Sequence, residues 1–150
     1  MTQKPKPSII LMADDDADDR LLAQDALAEC HLVHDLHFVE NGEELLDFLH
    51  HRGKYSVQSK SPRPGLILLD LNMPRKDGRE ALREIKSDPE LRQIPVVVLT
   101  TSKADTDVRR IYELGANSFI SKPVTFDALI NAMRILGQYW FGAVKLPVPK

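Results

Sequence analysis

Five positions in this chain carry residue types that together can handle a phosphoryl group: Asp14, Asp15, Asp70, Thr100 and Lys122. Asp70 closes the aliphatic run Leu66-Ile67-Leu68-Leu69 and opens the segment Leu71-Asn72-Met73-Pro74-Arg75-Lys76-Asp77-Gly78. Asp14 and Asp15 follow a first apolar run, Thr100 follows Val96-Val97-Val98-Leu99, and Lys122-Pro123 follows Asn117-Ser118-Phe119-Ile120. A carboxylate beside an apolar strand is costly to bury unless a cation or hydrogen-bond donor meets it; Lys122 is such a cation, Thr100 such a donor, and the acids Asp14 and Asp15 would bring a metal ion. The chemistry this set suits is a phosphoryl-accepting aspartate in a divalent-metal site. Asp70 is ionised at neutral pH and needs no general base to act as nucleophile. Magnesium, a hard cation that favours oxygen ligands and keeps several waters, suits the carboxylates, and it would share with Lys122 the neutralisation of a transferring phosphoryl group. Without those cations, clustered carboxylates repel one another and raise their own pKa values.

The elements that must position these residues follow from periodicity. Short apolar runs at 8–13, 36–39, 66–69, 94–99 and 117–120 read as strands, the third and fourth continuous enough to be covered on both faces. Between them lie amphipathic segments. Leu22, Ala26, Leu27 and Cys30 form a stripe on the first helix, and Leu45, Leu46, Phe48 and Leu49 follow Asn41-Gly42 on the second. The third helix spans 79–86. The fourth carries Val108, Ile111 and Leu114 and is capped at Gly115. The last runs from Phe126 to Tyr139 with Phe126, Leu129, Ile130, Met133 and Leu136 on one face. Residues 52–65 read as a loop by their prolines and glycines. Pro95 is placed at a strand entrance, where a missing donor is tolerated. Five strand–helix units with short links predict an α/β fold, a parallel sheet wrapped on both faces. In such a sheet, ligands bind at the carboxyl ends of the strands, where the acid pair, Asp70, Thr100 and Lys122 all fall.

Composition agrees with one compact domain. The 150 residues are 43% hydrophobic with a formal net charge of −2, which speaks against disorder and against a dedicated nucleic-acid or anionic-membrane binder. No apolar stretch approaches membrane-spanning length and the first residues lack a signal-peptide core, so a cytoplasmic protein is expected. Segments 1–7 and 142–150 read as a disordered N-terminal segment and a tail around a domain at 8–141. The single cysteine, Cys30, is read as a buried structural thiol.

Plainer readings compete at several positions. Asp16 and Asp19 are taken as helix-start acids favoured by the helix dipole; the same explanation for Asp14 and Asp15, or a surface role for Thr100 and Lys122, is less economical than a shared site. For Phe119 the plainer reading is ordinary core on the fifth strand. The five histidines are taken as solvated residues, since no cysteine pairs or second ligand cluster accompany them.

The chain resembles the receiver domains of two-component response regulators over roughly residues 8–139. More narrowly, Leu69-Asp70-Leu71-Asn72-Met73-Pro74-Arg75-Lys76-Asp77-Gly78-Arg79-Glu80, Ile94-Pro95-Val96-Val97-Val98-Leu99-Thr100-Thr101-Ser102 and the long loop before the third strand resemble the small single-domain regulators associated with bacterial phytochromes. The resemblance implies a doubly wound, flavodoxin-like receiver fold of strand order 2-1-3-4-5. It implies Asp70 as phosphoacceptor, Asp15 as a direct magnesium ligand, Asp14 as a ligand mainly through water, and the main-chain carbonyl of Asn72 as a third ligand. Thr100 and Lys122 match the phosphoryl-binding hydroxyl and lysine. Thr100 and Phe119 match the switch pair, and Lys122-Pro123 the family's cis peptide. A sensor histidine kinase is the implied phosphodonor, and the narrower resemblance points to one of the bacterial phytochrome kind.

Two other classes remain to be told apart. An aspartyl-phosphate hydrolase would want a second carboxylate two residues after the nucleophile, where this chain has Asn72. A receiver-like module that never accepts phosphate would usually lack one of the five site residues. A homodimer is also expected, through Trp140 and Phe141 as aromatic interface anchors, the alternative being that both rings fold back onto the domain's own core.

Overall fold

The computed structural model describes residues 8–30, 34–57, 61–101 and 105–143. The expected N-terminal segment 1–7 and most of the tail lie outside them. Five strands, β1 (Ser8–Ala13), β2 (His34–Val39), β3 (Leu66–Leu69), β4 (Val96–Thr100) and β5 (Ser118–Ser121), alternate with helices α1 (Ala17–Glu29), α2 (Gly42–His50), α3 (Gly78–Ser87), α4 (Asp105–Glu113) and α5 (Phe126–Gly137). The strands form one parallel sheet in the order β2-β1-β3-β4-β5.

Alternation along the strands divides the core. Leu11, Ala13, Ile67, Leu69, Val96 and Val98 join the buried residues of α2, α3 and α4 in one cluster. Ile10, Met12, Leu66, Leu68, Val97 and Leu99 join those of α1 and α5 in the other. β3 and β4 are buried throughout, which is why their sequences run without polar alternation.

Local signals start the helices where the chain must turn off the sheet edge. Asp16 accepts from the amides of Asp18 and Asp19 at the start of α1, Asn41 caps α2, Asp77 caps α3 and Thr125 caps α5. Each supplies an oxygen to amides that have no partner within the helix. Gly115, with φ 106°, follows α4 in the left-handed region that favours glycine.

Several expectations are corrected by packing. Leu22 is 41% exposed, and α1 instead buries Ala23, Ala26 and Leu27; the two alanines leave room for the helix to lie against α5. Phe126, expected on the inner stripe of α5, is 40% exposed; the helix buries Met133, Leu136 and Gly137 in its later turns. Cys30 is half-buried rather than buried, its thiol donating to the carbonyl of Ala26 at 3.1 Å, and burial pushes its pKa up. The 52–65 loop contains a short 3-10 turn, Gly53–Tyr55, held by a Tyr55 Oη hydrogen bond to Glu44 Oε1 at 2.5 Å. The last helix, expected to reach Tyr139, ends at Gly137 and continues as a π-helical turn, Gln138–Ala143.

Trp140 is 8% exposed and belongs to the α1–α5 core cluster, with Phe141 packed against that cluster. The expectation that these two rings anchor a homodimer is therefore corrected for Trp140: its indole is occupied within its own domain, where an apolar residue beyond the regular stripe closes the end of the core.

Candidate phosphoacceptor site

The site is built where strands end. Hydrogen bonding continues one residue past each strand: Asp14 N donates to Val39 O at 3.0 Å, Asp70 N to Ala13 O at 3.0 Å and Lys122 N to Thr100 O at 2.8 Å. The sheet register thus sets the backbone of all three ionisable residues, and the side chains converge over the carboxyl edge. Asp14 and Thr100 are fully buried and Asp70 is 6% exposed.

Lys122 is the hub. Its Nζ donates to Asp14 Oδ2 at 2.8 Å, to Asp19 Oδ2 at 2.8 Å and to Asp70 Oδ2 at 3.2 Å. The other oxygen of Asp70 accepts from Thr100 Oγ1 at 3.0 Å and from the amide of Asn72 at 3.2 Å. The Asn72 side-chain amide reaches Thr100 Oγ1 at 3.4 Å. Asp14 Oδ1 accepts the amide of Asp16 at 3.0 Å, and Arg20 clamps the main-chain carbonyl of Asp14 at 2.7 Å. Among the described residues, every buried side-chain nitrogen and oxygen has a hydrogen-bond partner.

The electrostatics follow from burial and pairing. Burial pushes the carboxyl of Asp14 above its ordinary pKa, with its hydrogen bond to Lys122 opposing but not cancelling the effect. Burial also works against the charge on Lys122, but hydrogen bonds to Asp14 and Asp19 and the nearby charges of Asp14 and Asp70 outweigh it and hold the ammonium's pKa above its ordinary value.

The donor set fits a hard divalent cation. Asp14, Asp15 and Asp70 each offer a carboxylate oxygen within 4.8 Å of the others, Asp15 from the exposed side. All-oxygen donors on a partly hydrated edge are what magnesium or manganese takes. Neither oxygen of Asp14 is idle, whereas Asp15 is exposed. Three of the described histidines have partners elsewhere: His37 pairs with Asp35, His50 with Asp88, and His51 with the Ser61 hydroxyl.

The loop from Asp70 to α3 is pinned by two close approaches. A Cβ on Gly78 would lie 2.4 Å from Asp70 O, and one on Gly42 would lie 2.2 Å from Lys76 O. Both distances are far inside van der Waals contact, so these positions require glycine to hold the Asn72 segment against Asp70. Sequence reading quoted Gly78 only as part of a motif and gave Gly42 no role in the site.

The structure thus brings Asp14, Asp15, Asp70, Asn72, Thr100 and Lys122 together. Phe119 stands apart on β5, half-buried against the α2–α4 core, and its amide donates to Tyr112 Oη at 3.1 Å. Asp19, read from sequence as a helix-start acid, does lie in the first turn of α1, where Asp16 does the capping, and it also pairs with Lys122. The Lys122–Pro123 peptide expected to be cis is trans, since no cis bond occurs among the described residues. The two isomers of an X–Pro bond differ by only about 0.5–1 kcal/mol in favour of trans, so a dipeptide in a sequence does not decide between them.

Comparison with known proteins matches this arrangement. Residues 10–134 match the model of the response regulator receiver domain. The chain is 42% identical over 141 residues to the response regulator Rcp1 of Synechocystis sp., covering 94% of each chain. It is 37% identical over 145 residues to a probable methanogenesis regulatory protein, FilR2, of Methanothrix harundinacea, covering 95% of this chain and 90% of that one. Among solved structures, the phosphorylated cyanobacterial phytochrome response regulator RcpA superimposes with a TM-score of 0.88 at 39% identity, covering 95% of this chain and 100% of the other. The manganese-bound form of Rcp1 superimposes with a TM-score of 0.86 at 42% identity, with the same coverage. Receiver domains are signalling modules that bind a divalent metal and interact with histidine kinases, and their mechanism is phosphorylation of an aspartate. With a family match across most of its length, the fold order β2-β1-β3-β4-β5 and an acid cluster at the sheet edge, this chain belongs to the response regulator receiver family.

Proposed function

We propose that the protein is a single-domain response regulator that takes a phosphoryl group onto Asp70 from a sensor histidine kinase, of the phytochrome type, in the cytoplasm. The observation that carries the reading is the convergence of Lys122 Nζ, Thr100 Oγ1 and the Asn72 amide on the two oxygens of Asp70, beside the carboxylates of Asp14 and Asp15. The likeness to Rcp1 and RcpA supports the choice of kinase class. Among the described residues, no helix is long and apolar enough to cross a membrane.

A carboxylate oxygen of Asp70 attacks phosphorus in line. The P–N bond to the kinase histidine breaks as the P–O bond forms, and the imidazole leaves with its electron pair. Lys122 exchanges its longest contact, to Asp70 Oδ2, for a phosphoryl oxygen, and Thr100 and the Asn72 amide are placed to donate to the same group. Asp15, Asp14, Asp70 and the Asn72 carbonyl would hold magnesium, which supplies charge neutralisation at the phosphoryl oxygens when bound. Because both Asp14 oxygens already have partners, Asp15→Ala should weaken metal binding more than Asp14→Ala.

Incubation with a small phosphodonor and magnesium tests the reading. Mass spectrometry should find one stable phosphoryl group per chain, and none with excess chelator. Continuous phosphate release would indicate a hydrolase, and no label a module that does not accept phosphate.

The readout is protein–protein contact or phosphorelay. Thr100 would turn its hydroxyl from Asp70 to the new phosphoryl oxygen, and an inward Phe119 would remodel the face of α4, β5 and α5. Phe119 has no hydroxyl, so its inward state gains packing alone. Thr100→Ala should therefore leave Asp70 able to accept phosphate while blunting NMR shifts at Phe119 and Tyr112; shifts confined to the Asp70 pocket in the wild type would sink the switch. Homodimerisation belongs to the same reading, with exposed Tyr112, Ile135 and Tyr139 replacing Trp140 as its apolar contacts, and sedimentation with and without phosphodonor decides it.

A further inference from the structure

Asp19 is a carboxylate within hydrogen-bond reach of the site that neither metal binding nor helix capping explains. It lies on the first turn of α1, but Asp16 supplies the cap there, and Asp19 is not a member of the acid cluster of Asp14, Asp15 and Asp70. Its Oδ2 sits 2.8 Å from Lys122 Nζ, as close as Asp14 and closer than Asp70 at 3.2 Å. The pair borders a groove lined by Leu22, Pro123, Val124 and Phe126, with the Lys122 side chain 14% exposed and that of Asp19 35%.

We propose that Asp19 is a positioning residue that tethers the Lys122 ammonium, keeping it available to the phosphoryl group and holding its contact to the nucleophilic carboxylate to the longest of its three; this rests on the reading of Asp70 as phosphoacceptor. An ammonium has three donors, and here three carboxylates take them. Two of those carboxylates change their bonding during the reaction: Asp70 becomes an acyl phosphate and Asp14 faces the metal. Asp19 alone keeps the same charge and place throughout. With it, Lys122 gives up one N–H, the long one to Asp70, and holds its position through the other two. Without it, the ammonium on its flexible four-carbon stem settles between Asp14 and Asp70, competing with the metal and masking the attacking oxygen. A donor already in place needs no reorganisation at the moment of transfer.

The test compares Asp19→Asn, Asp19→Glu and Asp18→Asn. Asp18 is exposed on the same helical turn, so its variant removes an equal charge without the contact. At saturating magnesium and phosphodonor, Asp19→Asn should label about fivefold more slowly, the size that a partly exposed charge pair carries. Asp18→Asn should change the rate less than twofold, and Asp19→Glu should recover part of the loss. In metal-free protein, the 15N and proton resonances of the Lys122 ammonium should move in Asp19→Asn and not in Asp18→Asn. Equal rates for the two Asn variants would overturn the tether, as would an unmoved Lys122 resonance even where the rate falls. Failure of wild-type protein to label, or label persisting in Asp70→Asn, would overturn the phosphoacceptor reading itself; normal wild-type labelling with an unaffected Asp19→Asn would overturn only the tether.

Discussion

Asp70→Asn should abolish phosphodonor labelling while leaving a folded protein with its secondary structure unchanged. The substitution preserves size and replaces the carboxylate by a neutral amide, which has no charge with which to attack phosphorus. The surroundings tolerate the change: the Asn oxygen can still accept from Thr100 and the Asn72 amide, as Asp70 Oδ1 does now, and Lys122 keeps Asp14 and Asp19 as partners. Removing one of three neighbouring carboxylates also relieves repulsion, which offsets the lost contact to Lys122. Stability should therefore shift by no more than about 1 kcal/mol in either direction, the ordinary net worth of a hydrogen bond. The measurement is intact-mass spectrometry after phosphodonor treatment, alongside thermal unfolding. Undiminished acid-labile label in the variant would place the phosphoacceptor elsewhere; a variant that labels poorly because it no longer folds would show in the melt.

Trp140→Ala should cost about 3–5 kcal/mol of stability, the range for removing a large aromatic from a packed core, and should leave the association state of the folded protein unaltered. Trp140 is 8% exposed within the cluster that includes Ile10, Met12, Ala23, Ala26, Leu27, Met133 and Leu136. Its loss opens a cavity between α1, α5 and the sheet that helices tied to strand ends can close only partly. Phe141→Ala should cost less, because that ring is only half-buried. Chemical denaturation of the two variants measures both effects, and sedimentation separates them from assembly. A Trp140→Ala protein of wild-type stability but altered association would restore the indole to an interface role.

Much of the architecture was legible before any coordinates because side-chain period and burial are local statements. A strand covered on both faces must be apolar at every position, so Leu66-Ile67-Leu68-Leu69 and Val96-Val97-Val98-Leu99 declare themselves. The residue that ends such a run must emerge at the sheet edge. Parallel strands bring all those ends to the same side, and so Asp14, Asp70, Thr100 and Lys122 could be placed together from type and order. In the folded chain Lys122 Nζ donates to Asp14 and Asp70, and Thr100 donates to Asp70.

What sequence by itself determined, then, was the alternation of strands and helices, the sheet edge and the residues gathered there. Only tertiary structure decided which of the available acids meets which cation. Asp19 and Asp16 are both acids near a helix start, and nothing local distinguishes the cap from the lysine partner 103 residues away. Helix rotation was likewise undetermined: α1 carries more apolar residues than one face can bury, and its fit against α5 selected Ala23 over Leu22. The same holds for Trp140, which is buried against α5 and against residues of α1 and the sheet that lie far from it in the chain, and for the trans Lys122–Pro123 bond, whose isomers differ too little in energy for the dipeptide to choose. Each of these is settled by contacts between segments distant in the chain, where the free-energy differences between alternatives are small until the packed neighbours are in place.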